Sequence, residues 1–237
     1  MYKDKVTAII LAAGQGKRMN LPVAKQYIHI NGRPAIYYSL KTFDDSKVDE
    51  IILVTVNGHV DYCWNSIIKQ YGIKKVIKVM EGGEERYASV YRALESIDNT
   101  DYVLIHDGAR PLISTEVIER IIKNVSESDA CIVGMPVKDT IKVLDMDGFI
   151  QSTPDRSCLW AAQTPQAFKF LEIKSAYEQL LEENINTRQT FTDDAMVYEA
   201  YIKKPVRMIE GEYANIKLTT QEDIIIAEAY AVRLGII

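Results

Sequence analysis

The chain has 237 residues, 47% of them hydrophobic and 26% charged, with a formal net charge of -5. That length and apolar share support one α/β domain over 1–237 with a full core, and they exclude intrinsic disorder. The acidic balance argues against general binding to nucleic acid or an anionic membrane, so chemistry on phosphate would need a local cationic pocket.

Met1 to Lys5 lead into an apolar run too short to span a bilayer and without a secretory cleavage pattern. The first strand, near Thr7 to Ala12, runs into Ala13-Gly14-Gln15-Gly16-Lys17-Arg18-Met19. Glycines let backbone N–H groups turn toward an anion, and Lys17, Arg18 and the later Lys25 add positive charge, so the segment reads as a phosphate site. The plain alternative is a strand-to-helix turn. A dinucleotide fingerprint wants glycine where Met19 stands, and a P-loop wants Gly-Lys-Ser/Thr, so neither motif is present.

Further strands are predicted near Glu50 to Val56, Lys75 to Met80, Tyr102 to Ile105, Ala130 to Pro136 and Val206 to Glu210. Helices are predicted from Pro34 through Phe43 and over His59 to Tyr71, Glu84 to Ile97, Ser114 to Val125, Phe170 to Glu183, Asp193 to Tyr201 and Thr220 to Leu234, the last with Asp223 completing a capping box. The alternation implies a mainly parallel sheet covered on both faces. Residues 137–160 break the rhythm. They read as a hairpin of Thr140 to Leu144 and Gly148 to Gln151 around Met146-Asp147-Gly148, too small to be stable alone and suited to packing on a second copy of the chain. Cys63, Cys131 and Cys158 are far apart and form no Cys-x-x-Cys pair, which fits a reducing, cytoplasmic compartment.

In an open parallel sheet, ligands collect at the carboxyl ends of the strands. Three loops there mix glycine with charge: Ala12 to Lys25, Glu81-Gly82-Gly83-Glu84-Glu85-Arg86, and His106-Asp107-Gly108-Ala109-Arg110-Pro111. Gly82-Gly83 taken alone only ends a strand, and Glu84 and Glu85 suit a first helical turn. Asp107 serves equally as a turn former or as an acid holding a divalent ion, with Arg110 as its ion-pair partner in the first case. His106 has no nucleophile partner and reads as structural. Gln163-Thr164-Pro165-Gln166 reads as a loop, Thr192 as the cap of a helix whose first turn holds Asp193 and Asp194, and Lys217 as a solvated charge on an edge strand.

Taken together, Leu11 to Met19, Lys25-Gln26-Tyr27, His106 to Pro111, Thr153-Pro154-Asp155-Arg156, Trp160 to Gln166 and Asn215-Ile216-Lys217 resemble the cytidylyltransferases that activate sugar alcohol phosphates, most of all those acting on 2-C-methyl-D-erythritol 4-phosphate. The resemblance implies a Rossmann-like three-layer αβα fold with a protruding β-hairpin dimerisation arm. It implies a homodimer that joins CTP to the alcohol phosphate with Mg²⁺. Arg18, Lys25 and Lys217 would be catalytic, and Ala12, Ala13, Gly14, Gly16, Gly83, Glu84, Ser89 and Asp107 would bind the nucleotide, Asp107 through the metal. Thr140 and Arg156 of the partner's arm, with Thr164, Thr192 and Arg110, would meet the second substrate. Two departures stand out: Ala24 replaces a proline common before the lysine, and Gly108 replaces an alanine, which would loosen the turn beside Asp107. Ribitol 5-phosphate as substrate, a non-catalytic nucleotide-binding module and a nicotinamide oxidoreductase are the alternatives. The last is disfavoured by the glycine spacing and by the lack of an acid ending the second strand.

Overall fold

The computed structural model of the protein describes residues 4–14, 24–183 and 190–236. Strand β1 (Val6–Ala12) shows the alternation that a doubly covered strand needs: Ala8 and Ile10 enter the core on one face and Ile9 enters the core on the other. A small ribbon of β2 (His29–Ile30) and β3 (Arg33–Pro34) leads into α1 (Ala35–Asp45), with Pro34 at the cap and Ile36, Leu40 and Phe43 buried. Next come β4 (Glu50–Thr55) and α2 (Val60–Tyr62), which continues in wider π-type turns over Cys63–Lys69. The alternation then runs through β5 (Val76–Glu81), α3 (Arg86–Glu95), β6 (Tyr102–Asp107), α4 (Thr115–Ser128) and β7 (Ala130–Pro136).

The hairpin predicted within 137–160 is present but shorter than expected, as β8 (Val143–Leu144) and β9 (Ile150–Ser152). Thr140 lies before its first strand, because the ribbon pairs only with itself and slips register between Val143 and Leu144. Its turn is closed by the Asp145 carboxylate, which accepts from the amides of Asp147 and Phe149 at 3.0 and 2.9 Å, with Gly148 at φ +87°. Then follow β10 (Trp160–Lys169), α5 (Phe170–Glu182), α6 (Asp194–Tyr201), β11 (Arg207–Glu210) and α7 (Glu222–Arg233).

Seven strands form one sheet in the order β11-β7-β10-β6-β1-β4-β5. β10 runs antiparallel to both neighbours and every other adjacent pair is parallel. One face packs on α1, α4 and the π-type turns through Phe43, Ile67 and Ile121; the other packs on α3, α5 and α6 through Leu94, Ile173 and Tyr198. Reading Gln163 to Gln166 as a loop is therefore overturned. Pro165 is tolerated because the register against β7 jumps between Ala162 and Gln166, so its missing N–H falls in a bulge. Lys217 is on no strand: it lies in the segment between β11 and α7, tied down where the Leu218 amide donates to Ala109 O at 2.8 Å. The cap of α6 is Asp193, whose Oδ1 accepts from the Met196 amide at 3.0 Å, rather than Thr192. Asp223 reaches back to the amides of Thr219 and Thr220 at 2.7 and 2.8 Å, and α7 begins two residues later than predicted.

Candidate functional site

The ends of β1 and β6, the turn entering α3 and the loop before α7 converge on an open cavity. Its wall includes Ala13, Gly14, Lys25, Gln26, Gly83, Glu84, Arg86, Ser89, Asp107 and Lys217. Two of the three catalytic candidates, Lys25 and Lys217, thus come together although 192 positions separate them. Arg18 and Gly16 lie outside the described residues.

Asp107 ends β6, buried, with Lys217 Nζ 2.6 Å from one carboxylate oxygen and Arg86 Nε 3.7 Å from the other. Burial pushes its carboxyl up, but the Arg86 guanidinium and then the Lys217 ammonium outweigh that and hold it well below the usual carboxylate range. Arg86 is itself held: both terminal nitrogens donate to the Asp194 carboxylate at 2.7 Å, a bidentate pair, and the Tyr177 hydroxyl donates to the same buried group. The result is an alternating chain of Lys217, Asp107 and Arg86 at the cavity wall, with Asp194 buried against Arg86.

The glycine pair after β5 does more than end a strand. A Cβ on Gly82 would come within 2.4 Å of Ala13 Cβ, so glycine there lets this loop close against the loop after β1. Ser89 shapes the same loop: its hydroxyl accepts from the Gly83 amide at 3.0 Å and donates to Glu85 O at 3.2 Å. Gly108 is not a loose point either, since a Cβ there would meet Ile36 Cδ1 at 2.5 Å and Leu11 O at 3.1 Å.

The remaining candidates stand outside the cavity wall. Ala12 is buried and its carbonyl accepts from Gln26 Nε2. The Thr164 hydroxyl accepts from the Asp107 amide at 3.0 Å and bonds with His106 Nδ1 at 3.2 Å. Arg110 Nη1 donates to Asn215 O at 2.8 Å, while its Nε is buried with no partner among the described residues; burial lowers its pKa, and Asp107 opposes that. Thr140, Arg156 and Thr192 are exposed, with Arg156 Nη1 donating to Lys138 O at 2.7 Å and the Thr192 hydroxyl contacting Met196 Sδ at 3.2 Å. Asp194, through Arg86, and Gln26, in the wall itself, join the cavity in ways their neighbourhoods hide: the first looks like any acid in a first helical turn, and the second is one polar residue in a short segment without period.

Among the described residues no three His, Cys, Asp or Glu side chains converge as a metal cage. A lone carboxylate such as Asp107 suits a divalent ion that shares its remaining positions with phosphate oxygens and water. Among the described residues no helix is long and apolar enough to cross a membrane.

A family model described as "IspD: 2-C-methyl-D-erythritol 4-phosphate cytidylyltransferase" matches residues 6–233. The 2-C-methyl-D-erythritol 4-phosphate cytidylyltransferase of Lachnoclostridium phytofermentans is 50% identical over 226 residues, covering 95% of this chain and 96% of that protein. The enzyme of the same name from Lachnospira eligens is 48% identical over 222 residues, covering 93% and 96%. The crystal structure of 4-diphosphocytidyl-2C-methyl-D-erythritol synthase from Anaerococcus prevotii superposes with a TM-score of 0.85 at 35% identity, covering 97% of each chain.

Proposed function

Because this chain belongs to the 2-C-methyl-D-erythritol 4-phosphate cytidylyltransferase family, we propose that its cleft joins CTP to 2-C-methyl-D-erythritol 4-phosphate, giving 4-diphosphocytidyl-2-C-methyl-D-erythritol and pyrophosphate. The protein is a CTP-dependent nucleotidyltransferase of isoprenoid precursor synthesis. We read 1–237 as one nucleotidyltransferase domain with 137–160 as its arm. Three cysteines without a disulfide are in keeping with the cytoplasm.

The alcohol phosphate's oxygen bonds to the α-phosphorus of CTP while the bond to the β-phosphate's bridging oxygen breaks and pyrophosphate leaves. A phosphate monoester is already ionised at neutral pH, so the site must align two anions and neutralise them rather than abstract a proton. Lys25, Lys217 and Arg18 are assigned to the triphosphate and to the charge that develops on the α-phosphate. Backbone at Ala13, Gly14 and Gly83, with Gly16, Glu84 and Ser89, is assigned to the cytidine side, and Asp107 to holding Mg²⁺. The ion, when bound, neutralises phosphate charge. Thr192 on the near side, with Thr140 and Arg156 from a partner's arm, is assigned to the alcohol phosphate. Arg110 and Thr164 are assigned to the same substrate, with Arg110 bonded to Asn215 O and the Thr164 hydroxyl to the Asp107 amide.

The observation that carries this reading is the ion pair of Lys217 and Asp107 at 2.6 Å, in one cavity wall with Lys25 and Arg86. The test offers purified enzyme CTP with either methylerythritol phosphate or ribitol 5-phosphate and follows pyrophosphate release. Methylerythritol phosphate is the expected substrate; preference for ribitol phosphate overturns the assignment, and CTP binding without product from either supports a non-catalytic module. Lys25→Ala and Lys217→Ala are each expected to lower turnover on the order of 10²-fold, as loss of a transition-state donor does.

A further inference from the structure

We propose that Gln26 is a positioning residue for Lys25, acting with the Tyr27 hydroxyl to clip the lysine-bearing turn onto the sheet. The inference rests on the reading of Lys25 as a triphosphate ligand. Lys25–Tyr27 is a single 3-10 turn, closed by Tyr27 N donating to Ala24 O at 2.8 Å and Ile28 N donating to Lys25 O at 3.3 Å. So short a turn has little stability of its own, because nucleating helical geometry costs more than one or two backbone bonds return. Where this turn sits on the sheet therefore depends on what the two residues after the lysine hold.

Both following residues, Gln26 and Tyr27, are buried and each reaches the end of a strand. Gln26, 1% exposed, donates from Nε2 to the carbonyl of Ala12, the last residue of β1. The Tyr27 hydroxyl bonds with Thr55 Oγ1, the last residue of β4, with Cys63 Sγ 3.3 Å away, and its ring stacks on His59 at 5.5 Å. Ala12 and Thr55 are not two arbitrary points: they are register partners across the β1–β4 pair. One residue back, Leu11 is the register partner of Asp107 on β6. The turn carrying Lys25 is thus bolted to the strand that also sets the height of Asp107, and Lys25 enters the same cavity wall as Asp107 and Lys217. Core packing alone would favour an apolar side chain at 26, since a buried carboxamide is costly unless its bond is needed.

The experiment is a double-mutant cycle on the full-length enzyme: Gln26→Met, Lys25→Ala and both together, with kcat and KM for CTP measured and folding checked by thermal unfolding. Displacing a catalytic group by a fraction of its own size costs about 10- to 100-fold in rate. Gln26→Met is expected to lower kcat by about that factor with KM for CTP moving less than about threefold, the mark of an interaction made in the transition state. In the Lys25→Ala background the same change should cost nothing further. Equal losses in both backgrounds, or a rise in KM with kcat intact, overturn the proposal, the latter by showing direct contact with nucleotide. Full turnover in Lys25→Ala sinks the reading of Lys25 itself, whereas an impaired Lys25→Ala beside an unimpaired Gln26→Met sinks only the positioning role. Should Gln26→Met not fold, Tyr27→Phe, which removes one oxygen atom, takes its place in the cycle with the same expectations.

Discussion

His106, wholly buried next to Asp107, serves the site as a neutral ring. With its proton on Nε2 it donates to Arg110 O at 3.2 Å and accepts at Nδ1 from the Thr164 hydroxyl, which in turn accepts from the Asp107 amide. Burial drives its pKa down from 6.5 to about 4, against the pull of Asp107. The unfolded chain therefore takes up a proton near pH 6.5 while the folded site refuses it until about pH 4. Stability from this group is whole above pH 6.5 and is lost as pH falls through that window, by up to about 3 kcal/mol. Urea unfolding at pH 7 and pH 4.5 is the check, and coincident free energies at the two would refute it. Two residues on, Gly108 looks from its neighbours in sequence like a point of slack beside Asp107. The contacts that await a Cβ, with Ile36 Cδ1 and the Leu11 carbonyl, make it a point of close packing instead. Gly108→Ala should cost about 1–3 kcal/mol by overpacking, read as a lowered urea midpoint at unchanged slope.

At the scale of elements, β10 separates what can be read locally from what cannot. The parallel strands announce themselves because residues such as Ile51, Ile52, Leu53 and Val54 are apolar on both faces. β10 gives three of its buried positions to the polar side chains Gln163, Thr164 and Gln166, whose partners lie far along the chain, so no period marks it. Gln166 shows why those polar groups stay: its Oε1 accepts from the amides of Asp194 and Ala195, each at 3.0 Å, satisfying two donors at the start of α6, while its Nε2 donates to Asp193 Oδ2. The candidate site divides the same way. Its glycine and lysine loops are visible as local composition, whereas the grip of Asp194 on Arg86 joins residues 108 apart and leaves no trace in either neighbourhood. Gln166→Leu keeps the volume and strands two buried amides, so a loss of about 2–4 kcal/mol is expected. Hydrogen exchange should place the weakening in α6 first. Unchanged protection of the Asp194 and Ala195 amides would show that something else holds that helix end.

For the whole molecule the decisive question is whether one chain completes its own site. The arm exposes Met146 at 106%, Phe149 at 72%, Ile150 at 61% and Leu144 at 54%, an apolar ribbon with no core of its own. A hairpin of this size is not stable bare in water, so it needs a covering surface, and the proposed cover is a second copy. If the arm also carries Thr140 and Arg156 into the neighbour's cleft, every working site mixes two chains: Lys217 from one and Arg156 from the other. That arrangement has a consequence that no single-chain site can imitate. Lys217→Ala and Arg156→Ala should each be nearly inactive alone. Refolded together at equal amounts, half the dimers are mixed, and each mixed dimer contains one site with both residues intact. About a quarter of wild-type turnover should then return. Phe149→Asp paired with Ile150→Asp should sediment as a monomer and abolish the recovery, while a mixture that stays inactive despite proven subunit exchange would leave each chain with a self-contained site.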